Sequence, residues 1–262
     1  MAPCRRSWQV PLSVLVAGVA LTLACPDAWA ADGAYTRVDI ADVPVNGDWV
    51  SVTLPRDAAP EELRDLVDLC EARGVMIIAD EIYDQFTFSD ALEDGRCPSQ
   101  ARCTEQMLLV RGFGKTYGCT GWRMGYAAGP RAIIEQMAKL QQYSFVCAPS
   151  IAQRGLIGAL GLDMSAQVAA YQAKRDMVEQ ALSPVAEIVH PGGAFYAFVR
   201  IPTEIAATAT EFVERAIERN VLLIPGCVFS GRDTHMRLSY AVPDETLDAG
   251  LRILTELLAR RS

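Results

Sequence analysis

Lys115 stands in a glycine-rich turn within RGFGKTYGCTGWRMGY (111–126), and Arg123 follows eight positions later. Upstream, the apolar run VMIIA (75–79) ends on Asp80, which is followed by Glu81, Ile82 and Tyr83. These side chains have complementary chemistry. A lysine amine forms a Schiff base with an aldehyde cofactor. A carboxylate beside a pyridine nitrogen keeps it protonated, so that the ring can accept electrons from a carbanion. A guanidinium grips phosphate through paired donors, and a tyrosine hydroxyl can hydrogen-bond a phenolate oxygen on the same ring. A nucleotide phosphate is the competing reading, because Gly114-Lys115-Thr116 matches the end of a Walker A loop. That loop needs a glycine five residues ahead of its GK pair, where this chain has Leu109, and the acidic strand precedes the lysine instead of following it. The nucleotide reading is therefore set aside.

The elements that would carry these residues follow from periodicity. In EELRDLVDLCEARG, Leu63, Leu66, Val67 and Cys70 recur at helical spacing, and Gly74 suits the position just past a helix end. VMIIA is short, continuously apolar and rich in β-branched residues, which predicts a strand buried on both faces. MLLVR (107–111) and RMGYAA (123–128) predict two further strands, and helices are expected over 131–142, 149–160 and 164–182. A repeated helix–strand order predicts an α/β sheet with ligands near the carboxyl ends of its strands. Asp80, Lys115 and Arg123 would then meet at one sheet edge. Beyond residue 162 the rhythm changes to EIVH, AFYAFVR, a helix over 208–220, VLLIP, HMRLSY and a last helix near 243–260, a smaller α+β unit.

Charge and composition remove several function classes. A net charge of −8 and the lack of any long Lys/Arg run exclude a nucleic-acid partner, since phosphate binding by counterion release needs a basic face. The eight cysteines form no C-x-x-C pair and only two histidines exist, which argues against a metal centre. They are expected as buried or half-buried free thiols. Residues 1–30 have a basic start, an apolar stretch from Val10 to Ala24 and an A-x-A ending at Ala30, the three parts of a secretory signal. The Arg5-Arg6 pair also fits a twin-arginine route, and the apolar stretch is too short for a stable membrane span. A wrongly called gene start or a fused fragment explains the same segment equally well. Residues 31–60 read as a linker with one short strand near Trp49–Leu54.

Taken in order, Asp80-Glu81-Ile82-Tyr83, Lys115 and Gly121-Trp122-Arg123-Met124-Gly125 resemble the class I and II aminotransferases, enzymes of the fold type I pyridoxal-phosphate superfamily. HPGGAFYAFVRIP (190–202) and IPGCVFSGRDTHMRLSYA (224–241) resemble that family's small-domain segments. The resemblance covers about residues 60 to 260. It implies pyridoxal 5'-phosphate as cofactor, held by Lys115, Asp80, Tyr83 and Arg123, with Lys115 catalytic and Arg237 gripping the substrate α-carboxylate. The substrates implied are small amino acids and 2-oxo acids, the assembly a homodimer, and the compartment cytoplasmic; a genuine signal would make it periplasmic or secreted. The fold implied is α/β, a remnant of the three-layer α/β/α large domain (61–162) followed by a small α+β domain (163–262).

The chain departs from the family pattern in its amino-terminal half. No phosphate-wrapping glycine loop, stacking aromatic or N-P-x-G asparagine can be placed, and Gly112 stands where the family often has a phosphate-binding serine. Three readings therefore remain open: an aminotransferase, a lyase of the same fold, or an inactive truncated remnant. Loss of central strands also predicts exposed apolar surface and poor solubility, or dependence on another chain for burial.

Overall fold

The computed structural model describes residues 60–229 and 231–259. The signal-like segment, the strand expected at Trp49–Leu54 and all of the linker but Pro60 lie outside the described residues. Helix α1 (Pro60–Ala72) begins on a proline, whose missing N–H would have no partner in a first turn anyway. Leu66 and Val67 form its buried face. It stops at Gly74, which takes φ +64°, a conformation that glycine adopts without a Cβ clash.

Strand β1 (Ile77–Asp80) runs parallel to β2 (Met107–Gly112), with Ile77 opposite Met107 and Asp80 opposite Val110. Strand β3 (Gly125–Ala128) is antiparallel to β2, with Gly112 opposite Gly125. This arrangement positions the site. The carboxyl ends of β1 and β2 and the amino end of β3 fall at one edge of the sheet, so Asp80, the turn leading to Lys115, and the turn carrying Arg123 are neighbours. The parallel crossover, residues 81–106, uses no α-helix; it passes through 3-10 turns at Asp84–Phe86, Ser89–Ala91 and Gln100–Arg102. Helices α2 (Arg131–Ser144) and α3 (Ser150–Ala159) follow.

Three details differ from the sequence expectation for these strands. The first strand begins at Ile77 because Val75 is still tied to α1, its N–H donating to Cys70 O at 2.8 Å. It is not buried on both faces: only Ala79 is buried, since β1 is an edge of the described sheet. The third strand begins at Gly125 because Arg123 is in a left-handed conformation, φ +53°, that ends the preceding turn.

The second half builds the sheet β4-β6-β5 from β4 (Tyr196–Arg200), β5 (Ile224–Pro225) and β6 (His235–Ser239), all pairs antiparallel. Helices α4 (Ser165–Leu182), α5 (Ala209–Glu218) and α6 (Asp244–Ala259) pack with it. Period-2 alternation buries Ala197 and Val199, which meet Val178 and Leu182 of α4, Phe212 of α5, Met236 of β6 and Leu254 of α6. Thr208 caps α5 by accepting from Glu211 N at 3.2 Å, while Glu211 reaches back to Ala207 N at 3.1 Å, a capping box displaced by one residue. EIVH contributes only the single bridge Ile188 to Val199, and VLLIP shortens to Ile224–Pro225 with Leu222 exposed.

The two units are stitched where the crossover meets the second core. Phe88 is fully buried in that core although it precedes β2 in the chain. Around it, Phe88 N donates to Gly192 O at 2.9 Å and Ala194 N to Phe86 O at 2.8 Å. Arg175 of α4, almost wholly buried, donates to Asp90 of the crossover at 2.8 Å and to Pro191 O at 2.9 Å. Lys174 is drawn in from solvent, because its amine donates to Val242 O at 2.6 Å and pairs with Asp244. One side-chain expectation is corrected. Cys147 and Cys227 are exposed, while Cys70, Cys97, Cys103 and Cys119 are half-buried free thiols. Among the described residues, no helix is long and apolar enough to cross a membrane.

Candidate active site

Lys115 leaves β2 through Gly112-Phe113-Gly114 and is half-buried. Its Nζ lies 5.4 Å from the Phe195 ring centroid and 5.9 Å from that of Tyr83. The amine from the first unit therefore faces a ring from the second. Tyr83 stands edge-on to Phe195 at 5.4 Å and to Tyr196 at 6.4 Å. Arg237, on β6, lies between two further rings: its guanidinium carbon is 4.5 Å from Tyr196 and 4.3 Å from Phe229. Lys115, Tyr83, Tyr196 and Arg237 thus form a continuous series across the boundary between the two units.

The Tyr83 hydroxyl is pushed above its ordinary range. Burial is the chief cause, followed by Tyr196 and, more weakly, the charge of Asp80, while Arg237 acts in the opposite sense. Tyr83 is consequently a protonated donor at neutral pH. Asp80, at the end of β1, accepts from Ile82 N at 3.3 Å, which curls the chain so that Tyr83 turns toward Lys115.

Arg123 reaches the same edge differently. It is exposed and left-handed, and its Nη1 donates to Thr120 O at 3.2 Å. A non-glycine residue in this conformation is strained by on the order of 1 kcal/mol, and such strain tends to collect at working sites. The departure at Gly112 has a local cause: a Cβ there would meet Ile82 Cγ1 at 3.0 Å. Ile82 occupies the space a serine side chain would need.

The donor set suits pyridoxal phosphate function by function. An amine matches its aldehyde, a carboxylate its ring nitrogen, a phenol its phenolate oxygen and an exposed guanidinium its phosphate. Phe195, Tyr196 and Phe229 were not singled out from sequence, although they form the aromatic wall around Lys115 and Arg237. For Tyr196 alone there is a sequence signal, the alternation in AFYAFVR: with Ala197 and Val199 facing the core, Tyr196 must face the other way.

Comparison with known proteins identifies the family. Residues 56–254 match the family model described as aminotransferase class I and II. A probable aspartate aminotransferase of Methanocaldococcus jannaschii is 31% identical over 207 residues, covering 75% of this chain and 53% of the relative. A putative aminotransferase of Bacillus subtilis is 32% identical, covering 73% of this chain and 50% of the relative. Among solved structures, an aspartate aminotransferase from Thermotoga maritima superposes with a TM-score of 0.69 at 29% identity, covering 76% of this chain and 52% of that one. An aromatic aminotransferase from Pyrococcus horikoshii gives 0.70 at 30% identity, covering 76% and 55%. The chain spans about half the length of the curated relatives it matches.

Proposed function

The chain belongs to aminotransferase class I and II, and from that premise we propose that it carries the amine-transfer chemistry of such an enzyme, acting on an amino acid and a 2-oxo acid with pyridoxal phosphate. When bound, that cofactor supplies an aldehyde that condenses with amines and a ring that takes up the electron pair left at a deprotonated carbon. Lys115 Nζ would hold the cofactor through its aldehyde and, as a free amine, would take the proton from the substrate Cα as a general base and deliver it as an acid to the carbon that had carried the aldehyde. The Asp80 carboxylate would keep the ring nitrogen protonated. Tyr83 would donate its hydroxyl to the phenolate oxygen. Arg123 would bind the phosphate, and Arg237 would hold the substrate α-carboxylate with its fork kept flat between Tyr196 and Phe229.

One observation carries this reading. The parallel pairing of β1 with β2 brings Asp80 and the Lys115 turn to one sheet edge, and the second unit closes on that edge with Phe195 and Arg237. The relatives' names divide between aspartate and aromatic amino acids, so the proposal stops at the α-amino acid class. The test mixes the protein with pyridoxal phosphate, an amino acid and a 2-oxo acceptor, with cysteine offered in parallel. Formation of a new amino acid, lost in Lys115→Ala, is the expected result. Pyruvate from cysteine without amine transfer would assign a lyase, and no turnover of either would mark an inactive remnant.

A further inference from the structure

Arg111 sits on β2 four residues before Lys115, and its guanidinium is directed at the turn that carries Asp80 and Tyr83. It donates to Glu81 Oε2 through Nε at 3.2 Å and Nη2 at 2.7 Å, and its Nη1 lies 3.3 Å from Asp84 Oδ2. Glu81 and Asp84 flank Ile82 and Tyr83, so one side chain grips the turn at both ends. The second Glu81 oxygen accepts from the buried Ser99 Oγ at 2.6 Å, and Glu81 N donates to Val110 O at 2.9 Å. Ile82 rests on Gly112.

We propose that Arg111 is a positioning residue: by clamping Glu81 and Asp84 it fixes the turn that presents Asp80 and Tyr83 to the Lys115 amine. The inference rests on the amine-transfer reading above and adds to it a residue that touches neither cofactor nor substrate.

Two features separate this contact from an ordinary surface ion pair of little consequence. Both carboxylates are about nine-tenths buried and the arginine side chain is three-quarters buried, so solvent screens the contact weakly. Burial disfavours the arginine's charge, yet Glu81 and then Asp84 hold it protonated above its usual range. The second feature is covalent geometry. The strand that supplies the clamp also supplies Lys115, so Arg111 references the Asp80–Tyr83 turn directly to the element that carries the amine. A purely structural pair would lack that link.

The test uses the full chain with Arg111→Met, which keeps the stem and removes the fork, and Arg111→Lys, which keeps the charge alone. The first readout needs no cofactor: the nuclear magnetic resonance signals of the Tyr83 ring, assigned with Tyr83→Phe and shifted by the edge-on Phe195 and Tyr196 rings. In Arg111→Met these signals should move toward exposed-tyrosine positions while those of Tyr240, buried in the second core, stay put. The second readout is pyridoxal phosphate binding, which should weaken about tenfold, as misplacement of a distant support does. The pH midpoint of the bound cofactor's visible band should rise by about one unit as Tyr83 loses its aim. Arg111→Lys should recover part of each change. Unchanged Tyr83 signals together with an unchanged pH midpoint, even with lowered stability, would overturn the proposal. If Arg111→Met does not fold, Glu81→Gln gives the same decision at nearly constant volume, with smaller shifts in the same direction expected and no shift contradicting the clamp. If the unaltered chain yields no cofactor band, the amine-transfer reading fails, and the Tyr83 signals alone still decide the clamp.

Discussion

The sheet β4-β6-β5 has three helices packed with it and a core in which Val178, Leu182, Val199, Phe212, Met236 and Leu254 exclude solvent completely, whereas β1-β2-β3, whose second strand leads to Lys115, has far less around it. In the first unit α2 has no buried residue and β3 is largely exposed. Tyr143 and Ile151 are more than four-fifths exposed, and Phe145, Val146, Ile157, Leu160 and Leu162 are also open to solvent. Apolar side chains exposed in this number favour association or require burial elsewhere. The comparison separates two requirements. Topology alone is enough to bring Asp80, Lys115 and Arg123 to one edge, but holding that edge rigid requires burial, which the junction with the second unit supplies through Phe88, Phe195 and Arg175.

The largest test of this contrast is in the second core. Phe212→Ala should destabilise the protein by about 3–5 kcal/mol, the usual range for a large core aromatic, measured by denaturant unfolding. Ile151→Ala should change stability by less than about 0.5 kcal/mol. Equal effects at the two sites would break the comparison. Amide hydrogen exchange sharpens it further. The amides of Val199 and Met236 should exchange roughly a hundredfold more slowly than those of Tyr126 and Ala127, because local opening is easier where fewer apolar contacts must be lost.

A smaller effect concerns pH. His235 stacks on Phe198 at 5.0 Å, and burial, followed by the charge of Arg200, pushes its imidazole down to about 4. The unfolded chain takes up this proton near pH 6.5, before the folded one does. The histidine's contribution is therefore complete above pH 6.5 and is lost as pH falls toward 4. After solvent screening of a partly exposed ring, the loss should be on the order of 1 kcal/mol. His235→Phe should flatten the stability profile over that window, as followed by thermal unfolding in buffers from pH 4 to 7.

Much of this was legible in the sequence because it depends on local patterns. Apolar spacing gave α1 and α4, Gly74 marked a helix end, and alternation in AFYAFVR gave β4 its buried face. The order Asp80, Tyr83, Lys115, Arg123, Arg237 carried the family resemblance. What remained hidden depends on contacts between residues distant in the chain. No local signal says that Phe195 will face Lys115, that Lys174 will find Val242 O, or that Phe88 will leave its own unit for the second core. The left-handed Arg123 was also unreadable, since its turn, Thr120–Trp122, has no residue at that position that demands a positive φ. The half-burial of β1 was missed because an apolar β-branched run has the same composition at a sheet edge as at a sheet centre.

The central claim is that one particular amine bonds the cofactor. The chain has three lysines, Lys115, Lys139 and Lys174, of which Lys139 is exposed on α2 and Lys174 is engaged with Asp244. Incubation with pyridoxal phosphate, borohydride reduction and peptide mass mapping should place the reduced adduct on Lys115 at stoichiometric level, with Lys139 and Lys174 labelled only marginally. An adduct shared evenly among the three, or one that spares Lys115, would contradict the account.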